Sequence, residues 1–268
     1  MRLNHLLITI ILSLIIVLVG CFQPAYHKIT PEKVASIKKV TAVSLLGDKI
    51  RKRYQGTTIF NNDLTISDVA DWKIDEFLEQ QVRELIDYDY ISINANHDTL
   101  MNIYTTKELY CCFSREYDFN RIKNEIEETR KDFGVDTIIF ILEDHFGAPN
   151  NRPRPGFLAG YGIYQGTEML LFTETFIYAY AQVVVFNTDK FEVLGASSFV
   201  LKRGVRDPYY GYGGDQNEKV DNIYWNIESF GIESSERKFI ENTIKGKLTQ
   251  RLYNTLSRLG FDFKESIH

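Results

Sequence analysis

The chain has 268 residues, with 36 acidic and 31 basic side chains and a formal net charge of −5. That balance offers no basic face for nucleic acid, and three cysteines are too few for a disulfide-stapled scaffold. Hydrophobic residues make up 44% of the chain, with 16 Tyr and 18 Phe, a globular and strand-containing composition rather than a disordered one.

Arg2 gives the N-terminus a positive charge, and Leu6–Val19 is an apolar run softened only by Thr9 and Ser13. A membrane-crossing helix needs about 20 apolar residues and the core of a signal peptide about 7–15. The run fits the second class; an uncleaved N-terminal anchor is the other reading. Both readings place the folded part outside the cytoplasm, against a membrane.

Leu18-Val19-Gly20-Cys21 closes that run. The tetrad resembles the lipobox of bacterial lipoproteins, which implies that Met1–Gly20 is removed and that Cys21 becomes a lipid-bearing N-terminus. The resemblance implies a diacylglyceryl group on the Cys21 sulfur, with N-acylation by a palmitate-type chain in Gram-negative cells. More than one acyl chain is what stable anchoring takes. Phe22 follows the cysteine, where an Asp commonly retains such lipoproteins at the inner membrane. The implied destination is the outer membrane, facing the periplasm, or the cell membrane in a Gram-positive source.

The expected organisation is a signal peptide over 1–20, a lipidated tether over 21–33 and one α/β domain over 34–268. Pro24 and Pro31, with few apolar neighbours, support the tether. Val40–Leu46 reads as a buried strand, and Gly47-Asp48 as a turn returning the chain through Lys49–Tyr54 as an edge strand. Phe60–Thr65 carries Asn61, Asn62 and Asp63 and reads as a loop. Ile74, Phe77, Leu78, Val82, Leu85 and Ile86 recur at helical spacing, with charges on the other face. Tyr88–Ile93 reads as a strand.

A second helix is expected over Phe119–Phe133, with Ile122, Ile126 and Phe133 on one side and Gly134 as its stop. Val135–Leu142 is apolar enough for a central strand covered on both faces. Asp144–Gly166, rich in Pro and Gly, is expected to be an exposed loop or extended hairpin. Leu170–Phe186 and Phe191–Lys202, joined by Asn187-Thr188-Asp189-Lys190, form the strongest hairpin. Gly204–Gln216 reads as a loop. Ile240, Ile244, Leu248, Leu252 and Leu256 mark a long closing helix over Ser235–Leu259, stopped by Gly260.

Strands alternating with helices predict an α/β fold: a mixed sheet with helices packed on it, a long C-terminal helix and an extended hairpin. In that order and in its opening apolar strand, the chain resembles periplasmic α/β domains such as the N-terminal domain of the TolB translocation protein. The lipoprotein activators of penicillin-binding proteins and the curli-secretion lipoprotein share the pattern. The resemblance carries no residue motif, so it assigns no site.

Two aromatic and arginine-bearing segments are the expected contact surface. Phe146, Arg152, Arg154, Phe157, Tyr161 and Tyr164 decorate the first, and Arg203, Arg206, Tyr209, Tyr210 and Tyr212 the second. Tyr and Arg favour binding hot spots because they bury area while keeping a polar tip; the alternative is that the rings fold back on their own sheet. Glu143-Asp144-His145 lies just past the central strand, where open α/β sheets bind ligands, and could do acid–base work; a solvated loop start is the plainer reading. Cys111-Cys112 lacks the spacing of a redox motif. Gly160, Gly162 and Gly166 miss the phosphate-loop spacing and read as strand glycines. No metal or cofactor is expected. The function expected is a lipid-anchored envelope protein that binds or assembles a protein or glycan at the outer membrane. The alternatives are an anchored hydrolase using Glu143, Asp144 and His145, or an oligomeric secretion-associated lipoprotein.

Overall fold

The computed structural model describes residues 26–55, 62–109, 112–143, 160–168, 172–199, 218–220 and 234–264. Ten of the described strands join one mixed sheet, ordered β4-β3-β9-β10-β8-β2-β5, with β11 and β12 also on β10 and β1 on β11. The strands are β1 (Tyr26–His27), β2 (Lys39–Ser44), β3 (Lys49–Gln55), β4 (Asn62–Asp68), β5 (Asp89–Tyr90), β8 (Thr137–Glu143), β9 (Gly160–Glu168), β10 (Phe172–Asn187), β11 (Glu192–Ser198) and β12 (Glu218–Val220). β6 (Tyr104–Leu109) and β7 (Cys112–Tyr117) form a separate antiparallel pair. The helices are α1 (Pro31–Ala35), α2 (Ile74–Leu85), α3 (His97–Leu100), α4 (Lys123–Phe133) and α5 (Ser235–Leu259).

The 16 residues of β10 form the spine of the sheet. The second part of β10, Ala181–Asn187, pairs antiparallel with β8, and the first part, Phe172–Tyr180, pairs antiparallel with β9. β8 lies parallel to β2 and β9 parallel to β3. The sheet therefore has two halves laid end to end along β10. Gly47, in the left-handed conformation at φ +70°, sits where β2 gives way to β3. Lys49–Tyr54 was expected to fold back as an edge strand; instead β3 runs on into the second half, flanked by β4 and β9.

Both faces of the half around β8 are covered. Ile139, Ile141, Ala179, Ala181, Val183 and Val185 face the layer of α2 and α5. Ile138, Phe140, Leu142, Val184 and Phe186 face Ile122, Ile126 and the β6–β7 side. Burial on both sides is why Ile138–Leu142 of β8 is an unbroken apolar run; all seven residues of the strand are buried. In α5, Ile240, Ile244, Leu248, Leu252 and Leu256 are fully buried, each contributing about 1.5–3 kcal/mol of transfer free energy. The Ser234 side chain caps the first turn by accepting from the Arg237 N–H at 3.1 Å, and Gly260 ends the helix at φ +99°. Gly134 ends α4 in the same way at φ +66°.

Several expectations are revised. The tether ends sooner than Glu32, because β1 at Tyr26–His27 already pairs with β11 and Ile29 is buried. Asn62–Asp68 is a strand, its polar residues tolerated because β4 is an edge. Phe133 is 45% exposed, since the α4 stripe that packs ends at Ile126. Tyr88–Ile93 supplies only the two-residue β5. From Gly160 onward the segment expected as an exposed loop or extended hairpin is β9, in keeping with the strand reading of its glycines, but it is internal to the sheet and not exposed.

Candidate functional site

The polar groups of the molecule converge where the two halves of the sheet meet. β5 pairs with β2 only at Lys39 and Val40, and the Ile91 N–H adds one more bond to the Val40 carbonyl. Beyond that point no described strand lies on the outer edge of β2, and α2 packs there. Asp75 and Glu79 lie one turn apart on the same helix face. The Glu79 Oε1 accepts the Ser44 N–H at 3.0 Å. The Asp75 Oδ1 accepts the Ser44 hydroxyl at 2.6 Å and the Leu46 N–H at 2.9 Å, while Oδ2 accepts the Gly47 N–H at 3.0 Å. His97, at the start of α3, places Nε2 3.0 Å from Glu79 Oε1.

The opposite side of the junction is held by tyrosines and an ion pair. The Tyr104 hydroxyl donates to the Leu45 carbonyl at 2.9 Å and accepts the Glu143 N–H at 3.0 Å. The Tyr117 hydroxyl donates to the Glu143 carbonyl. On the α2 side, the Tyr161 hydroxyl donates to the Gly47 carbonyl at 2.8 Å. Arg51 Nη2 lies 2.6 Å from Glu143 Oε1, and the Glu143 side chain is 4% exposed. Gly160 and Gly162 leave room for these groups. A Cβ on Gly160 would lie 3.1 Å from Glu143 Oε1, and one on Gly162 would overlap the Arg51 carbonyl and sit 2.9 Å from Tyr178 Oη.

Burial pushes the Asp75 carboxyl up to about 6, against the downward pull of its three donors. The hydrogen bond to Glu79 raises His97 above its ordinary 6.5, with burial opposing. Asp48 is raised by burial and by Asp68 and Glu76 nearby. Asp75 and His97 both hold their protons more tightly than usual, while both Asp75 oxygens and Glu79 Oε1 take hydrogen bonds within the protein. The arrangement is a carboxylate latch on the β2–β3 junction. Among the described residues no group of three or more His, Cys, Asp or Glu is placed to hold a metal ion, and no helix is long and apolar enough to cross a membrane.

Of the residues expected to bind, Tyr161 is fully buried in β9, its ring in the core beneath α2 and α5 rather than on a contact surface. Tyr164 is partly buried, its hydroxyl 2.9 Å from where a Gly166 Cβ would stand. Glu143 is committed to Arg51. Cys21, Asp144, His145, Phe146, Arg152, Arg154, Phe157, Arg203, Arg206, Tyr209, Tyr210 and Tyr212 lie outside the described residues, as does Cys111.

The residues that bound the two aromatic segments are described, and they converge. Glu143, before the first segment, stands opposite Ala181, and Gly160, after it, stands opposite Tyr180. On the other edge of β10, Ser198 precedes the second segment opposite Gln182, and Glu218 follows it opposite Ile177. The described residues on either side of both segments therefore all lie beside Ile177–Gln182.

Asp75, Glu79 and His97 were not singled out from the sequence. Asp75 and Glu79 fill the polar face that any amphipathic helix shows, and the contact to His97 is tertiary. No family model, curated protein or solved structure matches the chain.

Proposed function

We propose that the chain is a lipid-anchored envelope protein acting as a binding or assembly factor at the outer membrane, with an envelope protein or glycan as its partner. The observation that carries this reading is the convergence of the residues that flank the two aromatic and arginine-bearing segments: Glu143, Gly160, Ser198 and Glu218 all stand beside one short stretch of β10. Two segments with neighbouring flanks can contribute to one contact surface. Tyr161 is withdrawn from that surface. It consists of Phe146, Arg152, Arg154 and Phe157 from one segment and Arg203, Arg206, Tyr209, Tyr210 and Tyr212 from the other.

The anchor reading rests on the resemblance at Leu18–Cys21 and gains a length. Because β1 begins at Tyr26, five residue steps separate Cys21 from the sheet, roughly 18 Å at full extension. The β1–β11 edge would stay close to the bilayer, and the partner would be met there. The ion pair that occupies Glu143 favours this reading over a hydrolase built on Glu143, Asp144 and His145.

Two measurements test it. The mass of the N-terminal peptide should show acylated Cys21, and Cys21→Ser should release the protein from the membrane fraction. Replacing Phe157, Tyr209, Tyr210 and Tyr212 together by Ser should remove the co-purifying partner while the unfolding midpoint stays put. An unchanged partner profile would rule out the proposed surface.

A further inference from the structure

We infer that β4 is a self-association strand, pairing antiparallel with β4 of a second copy about a two-fold axis through Thr65. β4 lies at the end of the sheet, with β3 its one partner among the described residues. Leu64 is 48% and Ile66 53% exposed, so about half of each side chain stays open to solvent. Edge strands are commonly protected by Lys, Pro or a bulge. The sequence Asn62-Asp63-Leu64-Thr65-Ile66-Ser67-Asp68 has no Lys and no Pro, and its pairing with β3 is regular from end to end. Its apolar side chains alternate with polar ones, so Leu64 and Ile66 share a face.

The sequence itself selects the occupant and the register. An isologous strand pair places residue i of one copy opposite residue j of the other, and j opposite i. Hydrogen-bonding groups must meet in phase, which requires a two-fold axis passing through a residue and not between residues. Centred on Leu64, the pair would set Ile66 against Asn62. Centred on Ile66, it would set Leu64 against Asp68, a carboxylate against an apolar side chain. Centred on Thr65, Leu64 meets Ile66 in both directions, giving four apolar side chains on one face.

Charge agrees with that register. Asp63 falls opposite Ser67 and Asp68 opposite Asn62, so no carboxylate faces another. Arg53 and Arg51 stand opposite Leu64 and Ile66 on β3, flanking the apolar quartet on the same face of the joined sheet. A standard interface engages roughly 20–30 residues a side, whereas β4 has seven. The pair is therefore weak alone and is best read by trapping it in the membrane-bound, full-length protein.

The test is oxidative cross-linking of the full chain with Cys111 and Cys112 replaced by Ser. Directly opposed residues of an antiparallel pair bring their Cα atoms within about 4.5–5.5 Å, inside the reach of a disulfide, whereas diagonal neighbours lie beyond it. T65C should form a disulfide dimer about ten times faster than L64C or I66C alone, and an equal mixture of L64C and I66C chains should cross-link to each other. Adding Ile66→Lys to T65C should suppress the dimer. The parent lacking an introduced cysteine sets the background, and circular dichroism verifies that each variant folds. Absence of the T65C dimer, equal dimer from all three single variants, or dimer from L64C or I66C but not T65C would overturn the inference. A dimer insensitive to Ile66→Lys would overturn it as well. Loss of the envelope partner after substituting the aromatic segments leaves this result unaffected, so the two proposals fail separately.

Discussion

Arg51 and Glu143 stand 2.6 Å apart, tying β3 in one half of the sheet to the last residue of β8 in the other. The Glu143 side chain is 4% exposed and that of Arg51 20%. Removing one member of a buried pair strands the other's charge, whereas removing both does not. Arg51→Met should therefore lower stability by about 3 kcal/mol, and Arg51→Met with Glu143→Leu should recover most of that loss. Urea unfolding of the single and double variants measures both. Equal losses in the two would show that the pair does not hold the junction.

Asp75 takes three hydrogen bonds from the β2–β3 link, two of them from the backbone of Leu46 and Gly47. In Asp75→Ala those N–H groups lose their acceptor at a partly buried site. A cost of about 2–3 kcal/mol is expected, together with faster amide exchange at Leu46 and Gly47. Unchanged protection at those two amides would remove Asp75 from its assigned role.

The same latch gives stability a pH signature. The folded Asp75 carboxyl is raised from 3.8 to about 6, so between those values the folded state binds the proton that the unfolded state has released. Its contribution is present at low pH and lost as pH rises through about 6. His97 is raised above 6.5 by Glu79; its stabilisation is complete below 6.5 and lost as pH climbs past the folded value. Both groups thus make the fold less stable with rising pH, in adjoining windows. His97→Ala should flatten the profile above 6.5 and leave the lower window in place. Asp75→Asn should do the reverse, as chemical denaturation across pH 4–8 would show.

Two glycines make opposite predictions. At Gly162 an added methyl would overlap the Arg51 carbonyl, so Gly162→Ala should cost about 1–3 kcal/mol by overpacking. Gly246 lies inside α5 with nothing within 4 Å of an added Cβ. Gly246→Ala should raise stability by about 0.5–1 kcal/mol, because alanine has the better helix propensity. Thermal unfolding of the two variants should move in opposite directions.

Much of the frame was legible in the sequence because it rests on local patterns. The α5 stripe, the Gly134 and Gly260 stops, the apolar Ile138–Leu142 run of β8 and the β10–β11 hairpin each announce themselves within a few residues. β4 escaped because an edge strand may carry Asn and Asp at no packing cost. The β9 glycines read as strand glycines, but the place of β9 inside the sheet did not show, because the packing of Arg51 and Tyr178 over Gly160 and Gly162 is tertiary. The short β6–β7 hairpin has no strong turn signal of its own. The junction could not be read at all: Asp75 and Glu79 look like solvent-facing charges until the Ser44–Gly47 backbone is placed beside them.

The most direct measurement is site-specific photocrosslinking of the membrane-bound protein in cells. A photoreactive residue would be placed in turn at Phe146, Phe157, Tyr209 and Tyr212, with Phe133 on exposed α4 as the control site. A binding surface assembled beside Ile177–Gln182 predicts the same envelope partner captured from both segments and not from Phe133. Capture from neither segment, or equal capture from Phe133, would contradict it.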